Sequence, residues 1–346
     1  MLGGPPVAMV TYVELKCPRC GAPLPQTAPT GQMHCAYCAA PLVPSAGGVR
    51  LLKTLDPADL PDPDRPRLWL GGRRYVLLGH LGSGEGAEVF LGRRDHRLVE
   101  QVVVKVLRAT EDQDLMAHEF DVLQKLQRAT HQGAHHFTRL LPEPIAHGEA
   151  RLGVKGNEGL RTATVLRNAP GFVHDFDEVR AAHPKGIHGT ATIWIWKRIL
   201  EILAWMHQTG WVHGAILPKH LLVHARDHGV RLIGFSRAAR KGQPLKAFTE
   251  GAKAFYPAAV WEGGPADAAT DLSMSARSML WLVGSGQIGA KTSGVPKPLA
   301  DLLMTVAGED AGGQTDAWAL LETLEAVARE SYGPPKYVPF PMPGWD

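Results

Sequence analysis

A glycine-rich turn between two strand-like runs constrains the fold of this 346-residue chain more than any other feature. Residues 74–81 and 87–91 carry strand-forming side chains on either side of Gly82-Ser83-Gly84, and a third run, rich in valine, follows at 102–107. Glycine-rich turns occur both in phosphate-binding loops and in hairpins without a ligand, so the turn alone leaves both functions open. The pattern predicts a β-rich lobe that begins here.

Helical patterns follow this strand-rich part. Residues 116–123 form an apolar stripe at helical spacing. Residues 193–207 are apolar over most of a helical circumference, which is typical of a buried helix. A last helical face at 318–328 ends before the Gly-Pro-Pro sequence at 333–335.

The order of these segments resembles the protein-kinase superfamily from about residue 75 to about residue 329. The turn is similar to the kinase glycine loop except that Ala87 replaces the third glycine. The run at 103–107 resembles the strand whose lysine, here Lys105, contacts nucleotide phosphates. The resemblance implies an α+β, bilobal kinase-like fold with a β-rich small lobe and a mainly helical large lobe. The nucleotide-contact positions that it implies are Gly82, Gly84, Val89, Lys105 and Glu119.

Residues 212–223 resemble the kinase catalytic loop but contain no acid. Kinases use an Asp as proton acceptor and an Asn as metal ligand in this loop, where this chain has Ala215 and His220. Gly234 stands where a second metal-binding Asp is expected. Methyl and imidazole groups are poor substitutes for the oxygen ligands that magnesium prefers. The sequence therefore predicts a pseudokinase similar to bacterial serine/threonine kinases, with no catalytic residue and no enzyme activity.

Two further positions concern the scaffold of the large lobe. Ala259 replaces the glutamate that normally anchors the activation segment through an arginine, so this segment should be held differently here. Asp271 matches the aspartate that accepts backbone N–H bonds from the catalytic loop. The resemblance thus implies that a scaffold acid is retained.

The sequence leaves three functions open. The first is a scaffold or allosteric regulator of a partner protein, with nucleotide binding that needs no magnesium as an open question. The second is an atypical ATP-dependent transferase whose acids lie outside the usual motifs, with the candidates Asp227, Glu250 and Glu262. The third is a nucleic-acid adaptor that uses a basic stretch, made of Arg237, Arg240, Lys241, Lys246 and Lys253.

The four cysteines form two C-x-x-C pairs near the start of the chain. This spacing is typical of a structural zinc site, in which four thiolates close a tetrahedron around the metal. Disulfides are rare in the cytoplasm, and a redox dithiol would need a βαβ context that is absent. The predicted zinc ligands are Cys17, Cys20, Cys35 and Cys38, in a zinc ribbon.

The resulting domain organisation has five parts. They are the zinc ribbon at 1–43, a proline-rich linker at 44–68, the kinase-like small lobe at 69–166, the large lobe at 167–332 and a tail at 333–346. The tail is too proline-rich for a helix and too aromatic for a solvated segment, so it should dock on its own domain or in a partner's groove.

Composition narrows the remaining classes. An apolar content of 45% suffices for a substantial core, and no run reaches the roughly 20 apolar residues that span a bilayer. With no secretory pattern at the N-terminus, we expect a cytoplasmic protein without a membrane partner. The net charge of +3 supports nucleic-acid binding only weakly, so a protein partner is favoured.

Overall fold

The computed structural model of the protein describes residues 33–34, 41–45, 48–51, 62–84, 86–154, 157–249, 251–284 and 294–342. The chain divides into two compact units. We call residues 1–112 with 147–163 the barrel unit, and residues 113–146 with 164–346 the helical unit.

Three short antiparallel strands precede the barrel. They are β1 (Met33–His34), β2 (Pro41–Ser45) and β3 (Gly48–Leu51), in the order β1-β2-β3. β3 lies in the segment that we expected to be a linker, and Val43 on β2 pairs with Arg50 on β3. The four cysteines lie outside the described residues, so the zinc ribbon stays a prediction.

The barrel unit is built around a closed barrel with the strand order β4-β5-β6-β7-β9-β8. Its strands are β4 (Arg67–Leu70), β5 (Arg73–Ser83), β6 (Ala87–Arg94), β7 (Gln101–Leu107), β8 (Pro144–Val154) and β9 (Asn157–Arg167). Side chains alternate between the two faces of β7, and Val102, Val104 and Val106 on its inner face are all buried. The two-residue β4–β5 turn is Gly71-Gly72, and both residues have positive φ, which suits a tight hairpin.

The helical unit contains helices with long apolar faces. They are α1 (Gln113–Gln127), α2 (Ala134–Phe137), α3 (Phe176–Ala182), α4 (Gly189–Gln208), α5 (Ala258–Trp261), α6 (Ala268–Val283), α7 (Lys297–Val306) and α8 (Ala317–Tyr332). α4 packs against α6 and α8, and its Trp196 and Trp205 are fully buried. The Trp196 indole N–H donates to Ser275 Oγ at 3.0 Å, which joins α4 to α6.

Short two-stranded ribbons complete the helical unit. Their strands are β10 (Trp211–Val212) with β13 (Ala239–Arg240), and β11 (Leu221–His224) with β12 (Gly229–Leu232). A further ribbon pairs β14 (Gln243–Pro244) with β15 (Pro265–Ala266), although this pairing reaches only two residues per strand. Among the described helices, none is both long and apolar enough to cross a bilayer.

The tail lies against its own unit, in one of the two ways that the sequence suggested. Phe340 is 8% exposed, stacks on His183 at 5.0 Å and meets Trp194 edge-on at 5.6 Å. Tyr337 stacks on His228, and His228 in turn stacks on Trp194. The imidazole of His183 donates to the Pro341 carbonyl at 3.1 Å. Aromatic stacking and this hydrogen bond therefore fix a segment that its prolines keep extended.

Phe340→Ala should lower the free energy of unfolding by about 3 kcal/mol, because it removes a buried aromatic ring and leaves a cavity. Urea unfolding measures this change. Val338→Ala is the control, since Val338 is 43% exposed, and its loss should stay within about 0.5 kcal/mol. Equal stabilities for Phe340→Ala and the wild type would show that the tail is not docked in solution.

Candidate functional site

The predicted nucleotide contacts of the barrel unit lie side by side on three strands. Gly82 on β5 pairs with Val89 on β6, and Val89 pairs with Lys105 on β7. The Gly84 N–H donates to the Ala87 carbonyl at 2.8 Å and closes the turn. The structure thus brings together Gly82, Gly84, Val89 and Lys105. The fifth predicted contact, Glu119, belongs to the helical unit.

A buried carboxylate holds the glycine turn from behind. Glu88 is 2% exposed and accepts hydrogen bonds from Ser83 Oγ, His80 Nε2 and Arg108 Nε, each at 2.7 Å. Because these bonds tie both strands of the turn to β7, they restrict its opening. The sequence analysis missed this cluster, and the only available signal was an acid directly after the expected glycine position.

In the helical unit, α1 holds the segment that follows Gly234. The Glu119 carboxylate is buried, and its Oε1 accepts the Phe235 N–H at 3.1 Å. His118 lies next to it and bonds the Ala238 carbonyl at 2.7 Å. We expected Glu119 among the nucleotide contacts, and the structure gives it this backbone role.

The loop at 212–223 depends on Asp271. Asp267 and Thr270 form a capping box that begins α6, which places Asp271 in the first helical turn. Its two carboxylate oxygens accept the backbone N–H groups of His213 and Gly214, each at 2.8 Å. His207 Nε2 adds a third bond at 2.9 Å. The predicted scaffold role of Asp271 is therefore confirmed.

His213 is neutral and structural. It is fully buried, and burial lowers the pKa of its imidazole to about 4, although the nearby Asp271 charge opposes this shift. Its Nδ1 accepts the Ala215 N–H at 3.2 Å, and its Nε2 donates to the Ile233 carbonyl at 3.1 Å. The ring thus links the loop to the strand that leads to Gly234.

The hydrogen bond of His220 shows which of its ring nitrogens carries a proton. Its Nδ1 lies 2.8 Å from the Ala215 carbonyl, and because a carbonyl only accepts, Nδ1 must carry the proton. In the neutral ring, the lone pair is therefore on Nε2. This nitrogen would lie 2.6 Å from a Cβ atom at Gly234, whose φ is +83°.

The contact between His220 and Gly234 changes the meaning of two substitutions. A side chain at 234 would overlap the imidazole, so a carboxylate there and this ring position exclude each other. His220 and Gly234 are therefore coupled positions, because the ring occupies the space that a side chain at 234 would need. The third position, Ala215, is fully buried and supplies the carbonyl that orients the ring.

A different ion pair anchors the activation segment, which we define as residues 234–261. Arg277 on α6 donates to the Tyr256 carbonyl at 2.5 Å and pairs with Glu309 at 2.9 Å. Glu309 also accepts the Ala258 N–H at the start of α5. Burial opposes ionisation of Glu309 most strongly, but the bonds from Ala258 and Arg277 leave its pKa below the ordinary value. The acid missing at Ala259 is thus supplied from elsewhere in the chain.

The acids that we considered as replacements do not meet at the loop. Asp227 lies on the β11–β12 turn, where it pairs with His224 at 3.3 Å and Arg226 at 3.2 Å. The ribbon separates this turn from His220 by about 13 Å, the length of four strand residues. Glu262 is exposed after α5, and Glu250 lies outside the described residues. Within the described ranges, no cluster of His, Cys, Asp and Glu is arranged to hold a metal ion.

The buried imidazole of His213 should make stability depend on pH. Its pKa is about 4 in the folded protein against 6.5 ordinarily, so between these values the unfolded chain binds more protons. Stability is therefore lost as the pH falls from 6.5 towards 4. We expect the stability advantage of the wild type over His213→Asn, measured by urea unfolding, to shrink across this window.

The control for this measurement is His131→Asn, because His131 is exposed and has the same environment in both states. This variant should follow the wild type at every pH. A wild-type advantage over His213→Asn that does not change with pH would contradict the buried, neutral imidazole.

Comparisons with known proteins support the kinase-like fold. Residues 83–253 match the model of the lipopolysaccharide kinase (Kdo/WaaP) family. The crystal structure of the BubR1 kinase domain is similar, with a TM-score of 0.55 at 14% identity, over 77% of this chain and 83% of that one. No curated protein matches the chain.

The family match corrects one expectation. We predicted a pseudokinase without enzyme activity, and this is wrong, because the matched family consists of lipopolysaccharide kinases, which are enzymes. The matched region runs from the glycine turn into the activation segment, and the structural neighbour shows that the chain has a kinase-like fold.

Proposed function

We propose that this protein is an ATP-dependent phosphotransferase in which His220 accepts the proton of the substrate hydroxyl. The observation that carries the proposal is the match of residues 83–253 to a family of kinases. This region includes both the glycine turn and the loop with His220.

The barrel unit would bind the phosphates of the nucleotide. Gly82 and Gly84 place no side chain at their two positions in the turn, so backbone N–H groups there can approach phosphate oxygens closely. Lys105 adds a positive charge on the strand paired with Val89. The cluster around Glu88 supports this role, because a turn that is held in place loses less entropy when it binds a ligand.

His220 would act in the proton-transfer step. The acceptor hydroxyl oxygen forms a bond to the γ-phosphorus, the bond from that phosphorus to the β–γ bridging oxygen breaks, and ADP leaves. The hydroxyl proton passes to Nε2 of His220, because Nδ1–H already donates to Ala215. An imidazole nitrogen that carries no proton is a common general base.

The same replacements affect magnesium. Ala215, His220 and Gly234 offer no carboxylate or amide oxygen, so we propose that the nucleotide binds without a magnesium ion held by these positions. Phosphoryl transfer depends mainly on positioning and charge stabilisation, which cations such as Lys105 also supply. We expect a slower enzyme than one with both metal ligands.

The activation segment favours an anionic acceptor. Its exposed cations include Lys241, Lys246 and Lys253, and Glu250 is the only acid between residues 237 and 253. Arg240 is less available, since it stacks on Trp211 at 4.2 Å. The family name adds that related enzymes act on lipopolysaccharide, so we propose an anionic saccharide as the acceptor.

Transfer of labelled phosphate from ATP to lipopolysaccharide and to simpler anionic saccharides tests this function. Lys105→Met should lower kcat/KM by roughly 100-fold, because a cation that stabilises the transferred phosphate is lost. His220→Gln should lower kcat by about 100-fold or more, the usual contribution of a general base.

Asp227→Asn is the matched control, because this acid lies at the far end of the β11–β12 ribbon and should leave kcat within about twofold. Two results would refute the proposal. One is the absence of phosphate transfer from ATP to any tested acceptor. The other is full activity of His220→Gln, which would assign the base to another group.

A further inference from the structure

An apolar turn projects from the barrel unit between β6 and β7. Leu98 is 80% exposed and Val99 is 68% exposed, more than any other large apolar side chain in the part of the chain that the structure describes. Exposing two adjacent apolar side chains to water costs free energy, so their exposure indicates a binding function. The turn lies at the opposite end of the β5–β6 pair from the glycine turn.

Arginines surround this turn. Arg73 and Arg74 begin β5, Arg94 ends β6, and Arg97 directly precedes Leu98. Arg74 is compensated, because it pairs with Asp95 at 2.5 Å. Arg93 is compensated as well, by Asp62 at 2.7 Å.

Among the described residues, Arg73, Arg94 and Arg97 form no ion pair. Arg73 and Arg94 line one shallow cleft of about 370 Å³ together with Trp69, His96 and the paired residues Arg74 and Asp95. Since Arg74 and Asp95 neutralise each other, the cleft offers the two remaining guanidinium groups and an indole beside the apolar turn.

We propose that Arg73, Arg94, Arg97, Leu98 and Val99, here called the basic tip, dock on an anionic lipid surface. Guanidinium groups bind phosphate oxygens in bidentate fashion, and basic residues are attracted to the negative potential of such a surface. Leu98 and Val99 would enter the boundary between headgroups and acyl chains, as apolar residues of peripheral proteins do. The expectation of no membrane partner rested on the lack of a spanning run, which surface docking does not need.

The shape of the basic tip favours lipid over an acidic protein. Leu98 and Val99 sit on a turn that joins two strands, so they project outward, and a protein partner would need a matching apolar pocket. A lipid layer adapts to any projecting group. An acidic polypeptide would use the arginines but would have no use for the two apolar side chains. The proposal does not depend on phosphate transfer.

Co-sedimentation of the full chain with vesicles tests the proposal. We expect binding to vesicles of phosphatidylcholine with phosphatidylglycerol, weakening with added salt, and little binding to phosphatidylcholine alone. The triple variant Arg73→Gln, Arg94→Gln and Arg97→Gln should bind roughly 100-fold more weakly, at about fivefold per arginine. The double variant Leu98→Ser and Val99→Ser should bind more weakly by roughly 10-fold or more.

Two matched controls use exposed residues of the helical unit. The triple variant Arg128→Gln, Arg329→Gln and Lys336→Gln removes the same charge, and Met304→Ser removes a side chain that is 53% exposed. Both should bind anionic vesicles as the wild type does. Equal loss of binding in controls and tip variants would overturn the basic tip as the docking site.

Two other results would also overturn docking of the basic tip on lipid. Failure of the wild type to bind anionic vesicles would overturn the proposal. So would binding to polyglutamate that needs the three arginines but is unchanged by Leu98→Ser and Val99→Ser, because that result identifies an acidic protein as the partner.

Discussion

The conformation of the loop at 212–223 depends on the hydrogen bonds that the Asp271 carboxylate accepts. It is fully buried and accepts three hydrogen bonds, two from the backbone of the loop and one from His207. Removing it would leave buried N–H groups unpaired, at about 1 to 3 kcal/mol for each. Because the bonds go to His213 and Gly214, they set the backbone of the loop and with it the direction of the next carbonyl, that of Ala215.

That carbonyl orients His220, and His220 occupies the space that a side chain at Gly234 would need. The imidazole thus fills the space beside Gly234, with its Nδ1 against the Ala215 carbonyl. Asp271 and the hydrogen bonds of His213 hold the loop backbone that presents this carbonyl.

Much of the fold could be predicted from the sequence because the spacing of apolar residues along a strand or helix is a local property. The valine alternation of β7 and the apolar circumference of α4 are visible in short windows. Asp271 was also predictable, since its place follows from the order of motifs. The assignment of α1 to the helical unit was not predictable, because the boundary between compact units depends on contacts between residues that are distant in sequence.

The remaining parts of the site depend on long-range contacts. Glu309 pairs with Arg277 across 32 residues, and nothing near Ala259 points to it. The overlap between His220 and a side chain at Gly234 depends on a distance between two loops, which the sequence does not show. The prediction of an inactive protein, made from the groups missing at Ala215, His220 and Gly234, is contradicted by the match to a family of kinases.

The protonation state of His220 tests the central claim most directly. Ring-nitrogen NMR shifts, assigned through their loss in His220→Gln, report which nitrogen carries the proton. The account predicts the proton on Nδ1, where the Ala215 carbonyl accepts it, and none on Nε2. A proton on Nε2, in the other neutral tautomer or in an imidazolium, would contradict a ring that is ready to accept a substrate proton.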